Sequence, residues 1–262
     1  MLRYVRLLVL FARTELQLAI EYRANLVLDL FEESIIVVTS MIAVLVLFDH
    51  TGVINGWTLG QMTVLLGVYY LIQGINSVVF ETSFERFMEH VRLGTLDYIL
   101  IKPANSQFMI SARHFQVSQL GQVVMGFVLV GVGMAQVGER IGLFEAASFA
   151  VTLACGVALV YSLLLVLSTM SFWFVRVDNL LAIFWSFLDA GRFPVDVYPG
   201  WLRVTLSTVV PVGVAVTVPA QAIAGRLDTL GLIGMLVGSA AAWLFAAWFW
   251  RLGLRNYTGA SA

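Results

Sequence analysis

The chain has 262 residues, of which 60% are apolar and 12% charged, and its net charge is −1. A soluble domain carries about 25% charged residues and interrupts its apolar stretches with polar surface, so a soluble enzyme or binding module is excluded. With 15 basic against 16 acidic residues there is no general attraction to nucleic acid either.

Several apolar runs reach the roughly 20 residues that cross a hydrocarbon core of about 30 Å. None shows the period-2 alternation of a membrane barrel. The sequence therefore predicts an all-α polytopic membrane protein, read as one domain over residues 1–262 because no long polar linker divides it. Fourteen of the basic residues are Arg and only Lys102 is Lys. Cys155 is alone in an apolar run, which fits a buried, inert thiol and no intrachain disulfide. The N-terminal apolar stretch is cut by Arg13, Glu15 and Glu21 with no small-residue cleavage site after it, unlike a cleavable leader.

In chain order, residues 1–23 are expected to lie on the membrane surface. At 100° per residue, Arg3, Arg6, Arg13, Thr14, Gln17 and Glu21 fall in one polar stripe, opposite Val5, Leu8, Val9, Ala12, Leu16, Ala19 and Ile20. A first span is predicted over 25–48, with Asp29, Glu32 and Glu33 near its start, and a second over 59–80. Residues 81–113 form the most charged segment. Thr82 and Ser83 are expected to cap a helix whose apolar Phe84, Phe87, Met88 and Val91 oppose Glu85, Arg86, Glu89 and Arg92, with Gly94 as its stop.

Further spans are predicted over 117–137 and 146–174. A fifth apolar run from Leu180 meets Asp189, Arg192 and Pro194 too soon for a full regular span. Residues 204–225 are apolar enough to cross, yet Pro211, Gly213 and Pro219 interrupt them, so two short helices that dip in and return are expected. The last span is 230–250, with Gly234 and Gly238 forming a GxxxG packing signal. This gives six spans with a re-entrant segment before the last. With both ends cytoplasmic, eleven basic residues (3, 6, 13, 23, 86, 92, 102, 113, 176, 251, 255) fall inside and four (140, 192, 203, 226) outside. A seventh span would change the split only to ten and five.

No phosphate-binding GxxxxGK[ST] loop is possible around the sole lysine, which sits in Ile101-Lys102-Pro103. His50, His90 and His114 lack zinc-ligand spacing, and neither HExxH nor GxSxG occurs. The chain is thus expected to be no enzyme, with no metal and no cofactor of its own. A membrane-embedded hydrolase or transferase is disfavoured for the same reason. A secondary carrier or channel working without ATP is the alternative, and the lack of carboxylates in the second, third, fourth and last spans weighs against it. Asp29, Glu32 and Glu33 share one face of the first span, either pairing with Arg23 or another helix's arginine, or serving a substrate or ion. Tyr69, Gln73 and Asn76 share a face of the second span, directed at a helix neighbour or a cavity. The 81–113 segment is either an amphipathic loop on lipid or a docking elbow for a cytoplasmic partner.

Four stretches together resemble the ABC-2 type permeases, in the branch that includes bacterial viologen-exporter permeases. They are Glu21-Tyr22-Arg23-Ala24-Asn25; Gly94-Thr95-Leu96-Asp97 leading to Lys102-Pro103; Phe193-Pro194-Val195 with Tyr198-Pro199; and Gly253-Leu254-Arg255-Asn256-Tyr257-Thr258-Gly259. Their order and spacing cover nearly the whole chain.

The resemblance implies the permease half of an exporter in the bacterial inner membrane. It would pair with a second permease, the same or homologous, above an ATP-binding-cassette ATPase dimer that holds ATP and Mg. Phe84, Glu85, Arg86, Glu89, Arg92, Asp97, Lys102 and Pro103 would meet the ATPase, joined by the surface helix. Phe193, Pro194, Tyr198, Pro199, Trp201 and Pro211, within 191–226, would close the outer exit. Substrate would pass near the second and fifth spans, which carry Tyr69, Gln73, Asn76 and Asp189. A mixed aromatic and aliphatic lining suits lipophilic cations, drugs, lipids and peptides alike.

Overall fold

The computed structural model describes residues 2–138, 142–174 and 178–257. Arg140, Arg176, Thr258 and Gly259 lie outside them. Among the described residues the chain is helical, with one isolated bridge, Ile54 to Trp57, and no strand.

Helix α1 (Leu2–Glu21) lies along the later 103–114 stretch rather than crossing. Arg3 Nη2 donates to the Pro103 carbonyl at 2.7 Å, the Asn105 amide donates to the Tyr4 hydroxyl at 3.4 Å, and Glu15 meets His114 Nδ1 at 3.0 Å. Contacts twelve residues apart on α1, about 18 Å along its axis, thus reach one short segment. That is the geometry of a surface helix. After an elbow at Tyr22, α2 (Arg23–His50) crosses as the first long apolar helix.

A tight turn through Asn55 and Gly56, both at positive φ, leads to α3 (Leu59–Asn76). Its start is closed by a reciprocal cap in which the Gln61 amide donates to Thr58 Oγ1 and the Thr58 amide to Gln61 Oε1. Helix α3 does not stop at the membrane edge. A π turn (Ser77–Glu81) carries it into α4 (Thr82–Arg92), one 34-residue element. Thr82 and Ser83 therefore do not cap a new helix, correcting the sequence expectation. Thr82 Oγ1 donates to Gln116 Oε1 at 3.1 Å, and Ser83 Oγ bonds both the amide and the carbonyl of His114. The Gln116 amide also reaches the Val78 carbonyl in the π turn at 2.9 Å. Gly94, at φ 68, ends α4 as expected. The one-turn α5 (Asp97–Leu100) and α6 (Ser106–Ser111) follow.

The core is α3 against α7 (Leu120–Val137). Gly60, Gly67 and Gly74 recur every seven residues and meet Gly126, Gly133 and Val123 of the antiparallel partner. A Cβ on Gly67 would lie 2.7 Å from the Val130 amide nitrogen, and one on Gly133 would lie 2.7 Å from the Gly60 carbonyl oxygen. Backbone touches backbone along this seam, the close approach that small residues permit between membrane helices. Gly234 and Gly238, the predicted packing pair, have nothing within 4 Å because they sit on an outward face.

Helix α8 (Leu143–Thr169), ending in a 3-10 turn (Met170–Phe172), is the fourth long span. Helix α9 (Asp178–Asp189) is the short fifth segment; its 12 residues cover about 18 Å and do not cross alone. After 3-10 turns at Ala190–Arg192 and Val195–Val197 come α10 (Gly200–Val204) with a π turn (Thr205–Val209), then α11 (Val212–Ile223) at 88° to it. The bend falls at Pro211. Pro219 does not interrupt; it sits inside α11. Lacking an N–H, it leaves the Ala215 carbonyl without its helical donor, and that oxygen faces Gly156 of α8, where a Cβ would stand 2.6 Å away. Helix α12 (Thr229–Asn256), capped by Asp228, is the fifth full-length span.

Both ends of the bent pair attach to the same α2–α3 loop. Asn55 Nδ2 donates to the Asp196 carbonyl at 2.6 Å, and Arg226 Nη1 donates to the Gly56 carbonyl and Gln61 Oε1 at 2.9 and 3.0 Å. Arg226 also lies over the Trp57 ring at 4.8 Å. A pair that leaves and returns to one loop is a re-entrant hairpin, as the sequence predicts, and not a broken span. The opposite rim gathers α1, α4 to α6, the end of α8 and the end of α12, where Phe87, Phe172 and Trp250 pack ring on ring.

Candidate functional site

Three groups of sequence-predicted residues take definite places. The first is the α4–α5 surface. Phe84, Phe87 and Met88 are buried against α8 and α12, with the Phe84 ring 5.8 Å from Tyr161. Glu85, Arg86, Glu89 and Arg92 are exposed on the opposite face, where Arg92 and Glu89 form an ion pair at 4.0 Å. Asp97 is half-buried, whereas Lys102 and Pro103 are exposed, the Pro103 carbonyl holding Arg3. Three apolar residues outside the set expected to meet the ATPase stand exposed beside these charges: Leu93, Tyr98 and Ile101, with Tyr98 72% and Ile101 78% exposed. The signal was available, because apolar side chains in a charged, non-spanning segment stand out.

Behind this surface α6 is tied to α8 by Gln107 Nε2 and Ser111 Oγ, both on the Tyr161 hydroxyl at 3.1 and 3.0 Å. His114 links α1 to α4. Burial lowers its pKa below the ordinary histidine value, the hydrogen bond that its Nδ1–H donates to the Glu15 carboxylate opposes that, and nearby Arg86 and Arg113 add to the lowering.

The second group surrounds the end of α9. Tyr69, fully buried, donates to Asp189 Oδ1 at 2.7 Å, and Arg192 Nη2 binds the same oxygen at 3.1 Å. The Arg192 guanidinium also lies 5.4 Å from the Tyr69 ring centre. Tyr69 stands ten residues into α3, about 15 Å from its hairpin-side end, so Arg192 lies within the helical body and not in an outer loop. Gln73 and Asn76 do not join this cluster. Asn76 Nδ2 bonds the Ile72 carbonyl of its own helix, and Asn76 Oδ1 and Gln73 Oε1 find no partner.

The third group is the hairpin. Pro194 is buried, Phe193 and Tyr198 are half-buried, Pro199 and Trp201 are exposed, and half-buried Pro211 marks the bend. The Tyr198 hydroxyl donates to the Ala190 carbonyl at 2.8 Å. Thr217 Oγ1 of α11 accepts from the Val195 amide at 3.2 Å, closing the hairpin on its own entry turn. Asp29, Glu32 and Glu33 form no ion pair with Arg23 or any other arginine among the described residues; Glu33 instead accepts from Gln122 Nε2.

These features define a multi-pass helical membrane protein with a surface helix, five long spans, a half-span and a re-entrant hairpin. The model of the ABC-2 family transporter proteins matches residues 34–261, and the chain belongs to that family. Nothing matches among curated proteins or among solved structures. Membership makes the chain a membrane component of an ABC transporter, a transport part and not the catalytic one, and implies an ATP-binding-cassette ATPase as partner. Of the four resembling stretches, Glu21 to Asn25 precedes the matched range and the other three fall within it.

Proposed function

We propose that the chain is the permease subunit of an ABC exporter that moves a hydrophobic or amphipathic substrate outward, driven by ATP hydrolysed on the separate ATPase. The observation that carries this reading is the continuity of α3 with α4. The most buried membrane helix extends, without a break, into an amphipathic segment whose charged face is exposed. A push on α4 from below is thereby transmitted to the core of the fold. In this reading Tyr98 and Ile101 anchor in the ATPase, and Glu85, Arg86, Glu89, Arg92, Asp97 and Lys102 set its register.

The rim that carries α1 and α4 faces the cytoplasm, and the membrane is the bacterial inner membrane. Ten described basic residues (3, 6, 13, 23, 86, 92, 102, 113, 251, 255) lie on that rim and two (203, 226) on the hairpin side, which supports this orientation. The hairpin is the outer exit gate. Asp189, with its side chain 53% exposed, sits at a depth where a charge facing lipid is costly. That favours a substrate path, or a second permease, against the end of α9.

Reversing charge at Glu85→Arg and Glu89→Arg tests docking. Exposed pairs contribute about 1 kcal/mol or less each, whereas like charges set against each other in a specific interface cost several kcal/mol. The double variant is expected to insert normally and lose ATPase co-purification. Undiminished co-purification would reduce the segment to a lipid-facing loop.

A further inference from the structure

Between α4 and the α6 stretch runs a groove lined by Ser83, Arg86 and His90 on one side and by Arg113 and His114 on the other, with Phe87 buried behind them. Ser83 Oγ ties the two sides, accepting from the His114 amide at 2.9 Å and donating to its carbonyl at 3.1 Å. The free space inside is about 10 Å³, room for one water, so a larger occupant lies across the groove and not within it.

Arg86 is exposed and Arg113 half-buried. Neither guanidinium has a hydrogen bond or an ion pair among the described residues. No carboxylate lines the groove, and Glu15 is already engaged by His114 Nδ1. Both arginines act on one point all the same: besides the larger effect of burial, each pushes the His114 pKa down. At 3.6 residues per turn, Arg86 stands about 100° from Glu85 and about 120° from Arg92, but only about 40° from His90. It therefore flanks the groove and lies off the face that Glu85, Glu89 and Arg92 share.

Depth says what an unpaired guanidinium meets here. Arg86 follows Phe80, the end of the second predicted span, by six residues, and Arg113 precedes Val117, the start of the third, by four. Six helical residues cover about 9 Å, against a headgroup layer of roughly 5–8 Å on each side of the hydrocarbon. A long side chain from either position reaches the lipid phosphates. Two converging cations without a counter-ion, at that level, call for an anion from the bilayer.

We propose that Arg86 and Arg113 together hold the phosphate of an anionic lipid headgroup at the α1 rim. The two non-bridging oxygens of one phosphodiester suit two guanidinium forks. A zwitterionic headgroup brings its own cation to the same place and answers the pair less well, as basic pockets between membrane helices favour anionic lipids. Free phosphate shares the chemistry but lacks the acyl chains that would keep it at this depth. The inference goes beyond the permease reading and turns Arg86 toward the bilayer, leaving Glu85, Glu89 and Arg92 to the ATPase. Binding is measured without ATP or ATPase, so its failure is separable from failure of that reading.

The test titrates the purified full chain, in dodecylmaltoside micelles, with dioctanoylphosphatidylglycerol and dioctanoylphosphatidylcholine, and reads the affinity of the tightest site by native mass spectrometry. Phosphatidylglycerol is expected to bind more tightly than phosphatidylcholine. Its affinity should fall on the order of fivefold with Arg86→Gln or Arg113→Gln, and roughly thirtyfold with both. Arg255→Gln removes an exposed charge from the same rim and should leave the affinity unchanged. Arg86→Lys, at an exposed position, keeps the charge but loses the fork; an affinity between those of the native chain and Arg86→Gln is expected, and it decides the matter if the double variant fails to fold. Equal affinity for the two lipids, or an equal loss with Arg255→Gln, overturns the proposal. So does displacement of phosphatidylglycerol by equimolar inorganic phosphate, which would make the free anion the occupant. Loss of ATPase binding on Arg113→Gln with lipid affinity unchanged would assign the pair to the ATPase instead and overturn it too.

Discussion

Two glycines of α7, two residues apart, face opposite surroundings. A Cβ at Gly133 would meet the Gly60 carbonyl oxygen, the Val64 amide nitrogen and Val64 Cγ2, each at 2.7 Å, whereas one at Gly131 meets nothing within 4 Å. Two of the three atoms near Gly133 are backbone, so no rotamer change relieves the overlap and α3 and α7 must separate. Overpacking of this kind costs about 1–3 kcal/mol, while alanine in place of a helical glycine returns roughly 0.5–1 kcal/mol. Gly131→Ala is therefore expected to be neutral or stabilising by up to about 1 kcal/mol, and Gly133→Ala destabilising by up to about 2 kcal/mol after its own helix-propensity gain. Reversible unfolding in mixed micelles, followed by circular dichroism, reads the difference directly. Equal stability of the two variants would refute the backbone seam as the organising contact of the fold.

Other outcomes follow from the same geometry. Tyr98→Ala with Ile101→Ala should weaken ATPase binding without lowering the chain's own stability, since buried aromatic anchors at interfaces contribute about 2 kcal/mol or more; titration of the purified permease with its ATPase measures it. Arg226→Ala removes the Trp57 contact and the bonds to Gly56 of the α2–α3 loop and Gln61 in the first turn of α3, so amide exchange over residues 196–226 should quicken while the rest of α3 and α7 stay protected. His114 has a folded pKa below its unfolded value. The unfolded state therefore binds more protons as pH falls through the unfolded value near 6.5 toward the folded one, and the α1 attachment loses stability across that window. Limited proteolysis near Tyr22 should accelerate on acidification, and His114→Gln should flatten the response.

Much of this architecture was legible because bilayer constraints are strong. Apolar length marked the long spans, the early polar residues Asp189 and Arg192 marked the half-span, and Pro211 marked the bend. The errors came from features that depend on a partner helix. Thr82 and Ser83 look like a cap because their side chains suit one, yet the π turn carries the helix through and hands both hydroxyls to the 114–116 stretch. Gly234 and Gly238 fit the familiar four-residue spacing, but the working seam uses seven-residue spacing on two helices, a pattern present in the sequence and recognisable only when both strips are compared. The Asp29, Glu32, Glu33 face suggested pairing with arginine, and Gln122, 89 residues away from Glu33, carries no sequence mark that would link it there. Among the predicted path residues, Tyr69 and Asp189 come together while Gln73 and Asn76 do not, since a shared helix face does not say which neighbour each turn meets.

The central claim is that α4 and α5 receive force from an ATPase, and reconstitution tests it most directly. The chain, co-purified with its ATP-binding-cassette partner and placed in proteoliposomes, should show vanadate-sensitive ATP hydrolysis, and Glu85→Arg with Glu89→Arg should abolish it by releasing the ATPase. Transport sustained by an ion gradient in vesicles holding the chain alone, without nucleotide, would contradict the account.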